Sequence, residues 1–133
     1  MSIELVWEFN KKFGLPTGDK DQLIFDQLNQ EFRLKFLREE LDELVEALDT
    51  DDRVKAFDAM LDLAYVVFGT ALFMGITPEM WNDGMLAIHR ANMRKVRVTH
   101  PRQSKRGSNW DLRKPEGWVG PEDELQEILE DGA

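Results

Sequence analysis

The sequence predicts an all-α protein. Three observations carry that expectation. Apolar residues recur at helical spacing along most of the first 95 residues. Few segments alternate with period two, so strands are not expected. The breaks between periodic segments are short turns rich in Gly, Pro or Asp. Taken in order, a first helix runs from about Ser2 to Phe13, with Leu5, Phe9 and Phe13 in register. Gly14-Leu15-Pro16-Thr17-Gly18 ends it. A long second helix runs from about Asp21 to Asp49. Thr50-Asp51-Asp52 forms a turn whose acids suit the positive end of the next helix. That third helix continues to Gly75, which suits a C-terminal cap, and Thr77 and Pro78 then suit the cap and first position of a fourth helix reaching about Lys95. Helices two and three are expected to form an antiparallel hairpin across their short loop. Residues 96–121 are rich in Pro, Gly and charge and read as an extended tail, and Glu122 to Glu130 read as a short acidic helix. The expected organisation is a helical part over 1–95 and a basic tail over 96–133, both in one domain.

Composition bounds the function classes. A chain of 133 residues with 42% hydrophobic content has the size of one domain with one core. There is no cysteine, which removes disulfides, thiolate zinc sites and Cys nucleophiles together. No secretory signal pattern opens the sequence. The apolar run after Asp62 ends at Gly75, short of the roughly 20 residues a bilayer span requires. The expectation is a soluble cytoplasmic protein with no membrane partner. Net charge is −9 and unevenly spread: residues 1–89 carry −10, residues 90–118 carry +7 and residues 119–133 carry −6. The acidic body argues against nucleic-acid binding, while the basic segment suits one local anion such as a polyphosphate.

The stretch 58–75, DAMLDLAYVVFGTALFMG, contains a single charge after Asp58, namely Asp62. A carboxylate among apolar neighbours needs a partner, a proton or a cation. The preceding helix offers candidates in LREELDELVEAL, residues 37–48. Leu41, Leu44 and Leu48 fall within about 40° of Leu37 on a helical wheel, Glu40 lies about 60° from Leu37, and Glu43 about 120°. Phe36 and Ala47 flank Glu40 on the same side. Packing the two helices apolar side to apolar side brings Glu40, Glu43, Asp58 and Asp62 together. Four carboxylates at close quarters repel, so either several hold protons or cations sit between them. An all-oxygen donor set suits Mg²⁺ or Mn²⁺. Plainer roles stand beside this one. ExxE on a helix is commonly a solvated face, Asp58 suits a first helical turn, and Asp62 has Arg90, Arg94 and Lys95 as possible ion-pair partners.

At these residues the sequence resembles the all-α nucleoside triphosphate pyrophosphohydrolases. This MazG-like group includes the phosphoribosyl-ATP pyrophosphohydrolases and the dimeric dUTPase-like enzymes. Glu39-Glu40-Leu41-Asp42-Glu43 is similar to the family's EExxE, and Asp62 through Gly69 to its D-L-x-Y-V-x-x-G segment. His89 through Lys95 resembles its H-x-x-N-x-x-K, and Lys114-Pro-Glu-Gly-Trp118 its K-P-x-G-W. Glu8 through Phe13 and Arg33 also fit. One position departs: the family's second acidic motif is ExxD, but Ala59 stands three residues before Asp62, with Asp58 one further back on the same face.

The resemblance implies a four-to-five-helix bundle completed by oligomerisation, a homodimer or homotetramer. It implies Mg²⁺-dependent hydrolysis of a nucleoside or deoxynucleoside triphosphate at the α–β bond. Glu40, Glu43, Asp58 and Asp62 are the implied metal ligands, Mn²⁺ being an alternative ion. Glu39, Glu40 and Glu43 are the implied catalytic set, with Glu39 either a further ligand or the group that orients water. Asn92, Lys95 and Tyr65 are candidates for phosphate. Trp7, Asn10 and Phe13, with Phe25, are candidates for the base. A phosphoribosyl-ATP substrate is the nearest rival. A non-catalytic acidic interaction module is the rival of another class, and would place its acids outside the apolar arc.

Overall fold

A computed structural model describes residues 2–19 and 26–131. The described residues hold five helices: α1 (Ser2–Lys12), α2 (Gln27–Asp49), α3 (Arg53–Phe73), α4 (Pro78–Met93) and α5 (Glu122–Asp131). They also hold two strands, β1 (Val96–Arg97) and β2 (Leu112–Arg113). The all-α class is as the periodicity predicts, and the chain divides into two compact units, Met1–Trp81 and Asn82–Ala133.

In the first unit the local capping chemistry sets the helix ends. Asp26 caps α2, its carboxylate accepting from the Asn29 N–H at 2.9 Å. The helix therefore opens at Gln27 rather than near Asp21, and 20–25, with Phe25, lie outside the described residues. Asp52 caps α3 by accepting from the Lys55 N–H at 3.0 Å. The reversal between the helices uses Asp51 at φ 54°, a left-handed conformation that Asp tolerates better than most residues. Gly75, at φ 82°, takes the left-handed position after α3, and Thr77 Oγ1 accepts from the Met80 N–H at 3.2 Å to start α4.

The hairpin of α2 and α3 is the main packing contact of this unit, and α1 lies against α3. Ile3 and Val6 of α1 close with Leu72 of α3 into a small core, flanked by Trp7, Phe68 and Trp81. The hairpin seam differs from the expected one. It runs along Arg33, Glu40 and Ala47, spaced two turns apart, with Leu37 and Leu44 of the leucine stripe half-buried beside it. Arg33 and Ala47 are buried, whereas Leu41 and Leu48 are exposed, Leu48 at 63%. Small residues explain the choice: Ala47, Ala56 and Ala59 are all buried and let the backbones approach closely. Arg33 fills the other end, its Nη2 donating to the Val66 carbonyl at 2.9 Å and its Nε to Thr70 Oγ1 at 3.1 Å.

At 21 residues, α3 is long and apolar enough to cross a membrane by length and composition alone, although the run after Asp62 is shorter. It carries Asp58 and Asp62 and packs along α2.

In the second unit, the tail returns to the end of α4. β1 and β2 form an antiparallel ribbon with Val96 opposite Arg113 and Arg97 opposite Leu112. Strands of two residues are too short to leave an alternating pattern, so the expectation of no strand misses them. Trp118 Nε1 donates to the Ala91 carbonyl at 2.7 Å, and Arg94 Nη2 to the Val119 carbonyl at 3.2 Å. Arg90 pairs with Glu124 of α5 at 2.6 Å.

Candidate functional site

Glu40 of α2 stands across the seam from Asp62 of α3, and Glu43 is one turn further along α2. One carboxylate oxygen from each of the three lies within 4.8 Å of the others. Glu43 and Asp62 are exposed and Glu40 is half-buried. Among the described residues, Glu40 Oε2 is shielded from solvent and has no hydrogen-bond partner. An acceptor in that condition is costly unless a cation or proton meets it. Partial burial is the leading cause that raises the Glu40 pKa; the neighbouring Glu43 carboxyl and then the charges of Asp62 and Glu39 add to it.

The donor set fits a hard divalent cation. It is all oxygen, it converges, and its innermost oxygen is unsatisfied. Its two exposed members leave coordination positions open to water or to a phosphate. The other acids lie around it. Glu39 is exposed and close enough to repel Glu40. Asp58 does not join the three. It lines a neighbouring groove of about 460 Å³ with Glu43, Glu46, Thr50, Asp52 and Lys55. Ala59 lines the same groove, buried.

The pKa shift has a sign that can be tested. Folded Glu40 holds its proton more tightly than the unfolded chain does. Its contribution to stability is therefore full below the ordinary carboxyl range and is lost as pH rises through the raised value. Melting of the metal-free chain, followed in EDTA from the ordinary carboxyl range upward, is expected to show this loss. Glu40→Gln is expected to flatten it, and Mg²⁺ to raise the melting temperature at the upper end by mass action. A Glu40→Gln profile identical to the parent's counts against a strained carboxylate here.

Tyr65 lies one turn beyond Asp62 on α3 and is partly exposed. Its ring meets Phe9 edge to face at 5.5 Å, and Phe9 meets Phe13 at 4.8 Å. Burial, with Glu8 nearby, raises the Tyr65 pKa, so the hydroxyl keeps its proton. Of the other candidates on α1, Asn10 is only 3% exposed and donates its amide to the Pro16 carbonyl at 2.8 Å. That bond clips the loop after α1. Trp7 packs half-buried against the core, with Lys11 Nζ over its ring at 4.9 Å. Phe13 is exposed. In the second unit, Asn92 is exposed near the end of α4, and Lys95 Nζ stands over the Trp118 ring at 5.4 Å. Phe9 and Trp118 gained no role from the sequence, and Lys114 only a share in the basic tail that suits a polyphosphate. The matched K-P-x-G-W run was the available signal for the last two.

Comparison with known proteins agrees with this geometry. An uncharacterised protein of Acanthamoeba polyphaga mimivirus is 38% identical over 78 residues, which is 56% of this chain and 31% of that protein. The chain therefore matches less than a third of that relative's length. The family model described as phosphoribosyl-ATP pyrophosphohydrolase matches residues 6–92, a span that takes in α2, α3 and the three converging carboxylates. The chain belongs to the phosphoribosyl-ATP pyrophosphohydrolase family, within the MazG-like all-α nucleotide pyrophosphohydrolases.

Proposed function

We propose that this chain hydrolyses a nucleoside or deoxynucleoside triphosphate between its α and β phosphates, giving the monophosphate and pyrophosphate, with Mg²⁺ required. The observation that carries the reading is the meeting of Glu40, Glu43 and Asp62 around an unsatisfied Glu40 oxygen. These three would hold the ion, with Asp58 assisting from the adjoining groove. When bound, Mg²⁺ or Mn²⁺ would supply neutralisation of phosphate charge and a more acidic water. Glu39, outside the three, takes up the proton of the attacking water. Tyr65, protonated at neutral pH, donates its hydroxyl to a phosphate oxygen. Asn92 and Lys95 supply a neutral donor and a cation for phosphate on their own unit.

The family match favours phosphoribosyl-ATP as a second substrate reading, with the same bond broken. An interaction module fits less well, because acids serving a partner have no reason to converge on the seam between two helices. The test is pyrophosphate release from a panel of ribo- and deoxyribonucleoside triphosphates and phosphoribosyl-ATP, with Mg²⁺ and then with EDTA. Turnover confined to one member and abolished by EDTA is expected. No turnover anywhere on the panel, or turnover indifferent to EDTA, sinks the proposal.

The working form is proposed as a homodimer or homotetramer. Leu41, Leu48, Val54, Phe57 and Met60 of the hairpin are all exposed, Val54 at 79% and Phe57 at 61%. The last four of them line an apolar cavity of about 690 Å³ at the hairpin's end. A second hairpin packed on that face gives them the cover that a helix stripe of this breadth requires.

A further inference from the structure

At one end of the ribbon of the second unit stand two like charges, Lys95 just before β1 and Lys114 just after β2. In its register Val96 faces Arg113 and Arg97 faces Leu112. The Val98 N–H donates to the Asp111 carbonyl at 3.1 Å, which continues the same register one step one way. One step the other way, beyond both strands, lie Lys95 and Lys114. Like charges brought close to each other repel. Here nothing compensates them: among the described residues, neither lysine makes an ion pair. The acids that pair in this unit are already engaged, Asp111 with Arg106 and Glu124 with Arg90.

A single side chain holds the two cations together. Lys95 Nζ stands 5.4 Å from the centre of the Trp118 ring and Lys114 Nζ 4.9 Å from it. Cations attracted to one ring are kept within about 10 Å of each other and lose freedom to swing apart. The ring itself is fixed, since its Nε1–H donates to the Ala91 carbonyl and the next residue's carbonyl accepts from Arg94. A chain with net charge −9 has concentrated two unpaired ammonium groups at a rigid point. Preorganised cations of this kind suit a ligand carrying several negative charges at close spacing.

We infer that Lys95, Lys114 and Trp118 form a polyphosphate-binding site on the second unit, with Trp118 as the residue that positions both lysines. The inference extends the phosphate contact proposed above for Lys95 and rests on it, but it does not depend on hydrolysis. Inorganic tripolyphosphate is the probe, titrated calorimetrically into the full chain in EDTA. Binding is expected in the parent protein and to weaken with salt. Lys114→Met and Lys95→Met are each expected to weaken it by about tenfold, the scale of one charge-assisted hydrogen bond. Trp118→Leu is expected to weaken it comparably although both charges remain, with Trp118→Phe between Leu and the parent because it keeps a ring. Glu43→Gln is expected to bind as the parent does, which separates failure of this site from failure of the hydrolase reading. Lys114 is exposed, so its variant tests the site without threatening the fold. Unchanged tripolyphosphate affinity in Lys114→Met, or no binding by the parent, overturns the inference. So does tighter binding of a single-stranded oligonucleotide than of tripolyphosphate, which would make the patch a nucleic-acid contact.

Discussion

Asp62→Asn and Glu43→Gln are each expected to lower pyrophosphate release by about 10³-fold or more, while the variants melt no lower than the parent protein. The rate expectation follows from the donor count. Three oxygens converge, and each substitution replaces one anionic donor by an amide. Loss of the ion's stabilisation of phosphate charge is worth several kcal/mol, and each 1.4 kcal/mol is a factor of ten. The stability expectation has the opposite sign. Without metal, the carboxylates repel, and that repulsion adds to partial burial in raising the Glu40 pKa. Removing a charge relieves it, and both side chains are exposed, so no cavity is created. Asp58→Asn is the contrast, because Asp58 lies outside the three. A loss of tenfold or less is expected there, with the Mg²⁺ requirement kept. Kinetics and thermal melts on the same preparations check both halves. Near-parental rates for Asp62→Asn or Glu43→Gln would show that the metal site is misplaced. A collapse in Asp58→Asn equal to theirs would make Asp58 a full ligand.

Much of this arrangement was legible in the sequence because its causes are local. Asp52, Thr77, Pro78 and Gly75 act on helix ends within four residues, so their placement needs no tertiary information. Glu40 and Asp62 were legible because charge inside an apolar arc is anomalous whatever the arc packs against. The seam was not legible. On a wheel the leucine stripe outweighs the row of Arg33, Glu40 and Ala47, yet the seam shifts toward that row because alanines permit close approach and Arg33 brings hydrogen bonds with it. Leu41 and Leu48 then remain exposed for another surface. Asn10 reads as a polar residue on an aromatic helix and so as a base contact. Its commitment to the Pro16 carbonyl depends on how a loop folds back, which no periodicity reports. The two lysines that share the Trp118 ring are separated by 19 positions, and only the fold brings them together.

Gly69→Ala is expected to destabilise the protein by about 2 kcal/mol and to weaken Mg²⁺ binding, although it lies two turns from the nearest ligand. A methyl at Gly69 lies 2.7 Å from Arg33 Nη2, too close for both to stay. The far end of an arginine ordinarily moves aside at small cost, but this one is not free. It is 6% exposed, donates to Val66 and Thr70, and stacks on Phe32, Phe36 and Phe73 at 5.4, 5.4 and 4.7 Å. Displacing it forfeits two hydrogen bonds from a charged group, about 1.5–3 kcal/mol each, against about 1 kcal/mol gained in helix propensity. The site feels the change through the register. Arg33 and Gly69 face each other across the seam as Glu40 and Asp62 do, each pair displaced by the same two turns. Pushing one pair apart therefore opens the other. A second substitution separates this account from general damage. Arg33→Met gives the methyl a flexible apolar neighbour and removes the charge from the seam, leaving Thr70 bonded to the Val66 carbonyl at 2.7 Å. In the double variant, stability and Mg²⁺ affinity are both expected to exceed the sum of the single effects, by at least about 1 kcal/mol in stability. Denaturant melts and Mg²⁺ titration of the four proteins make the cycle. Additive effects would mean that Gly69 and Arg33 act separately, and that something other than their contact sets the spacing of Glu40 and Asp62.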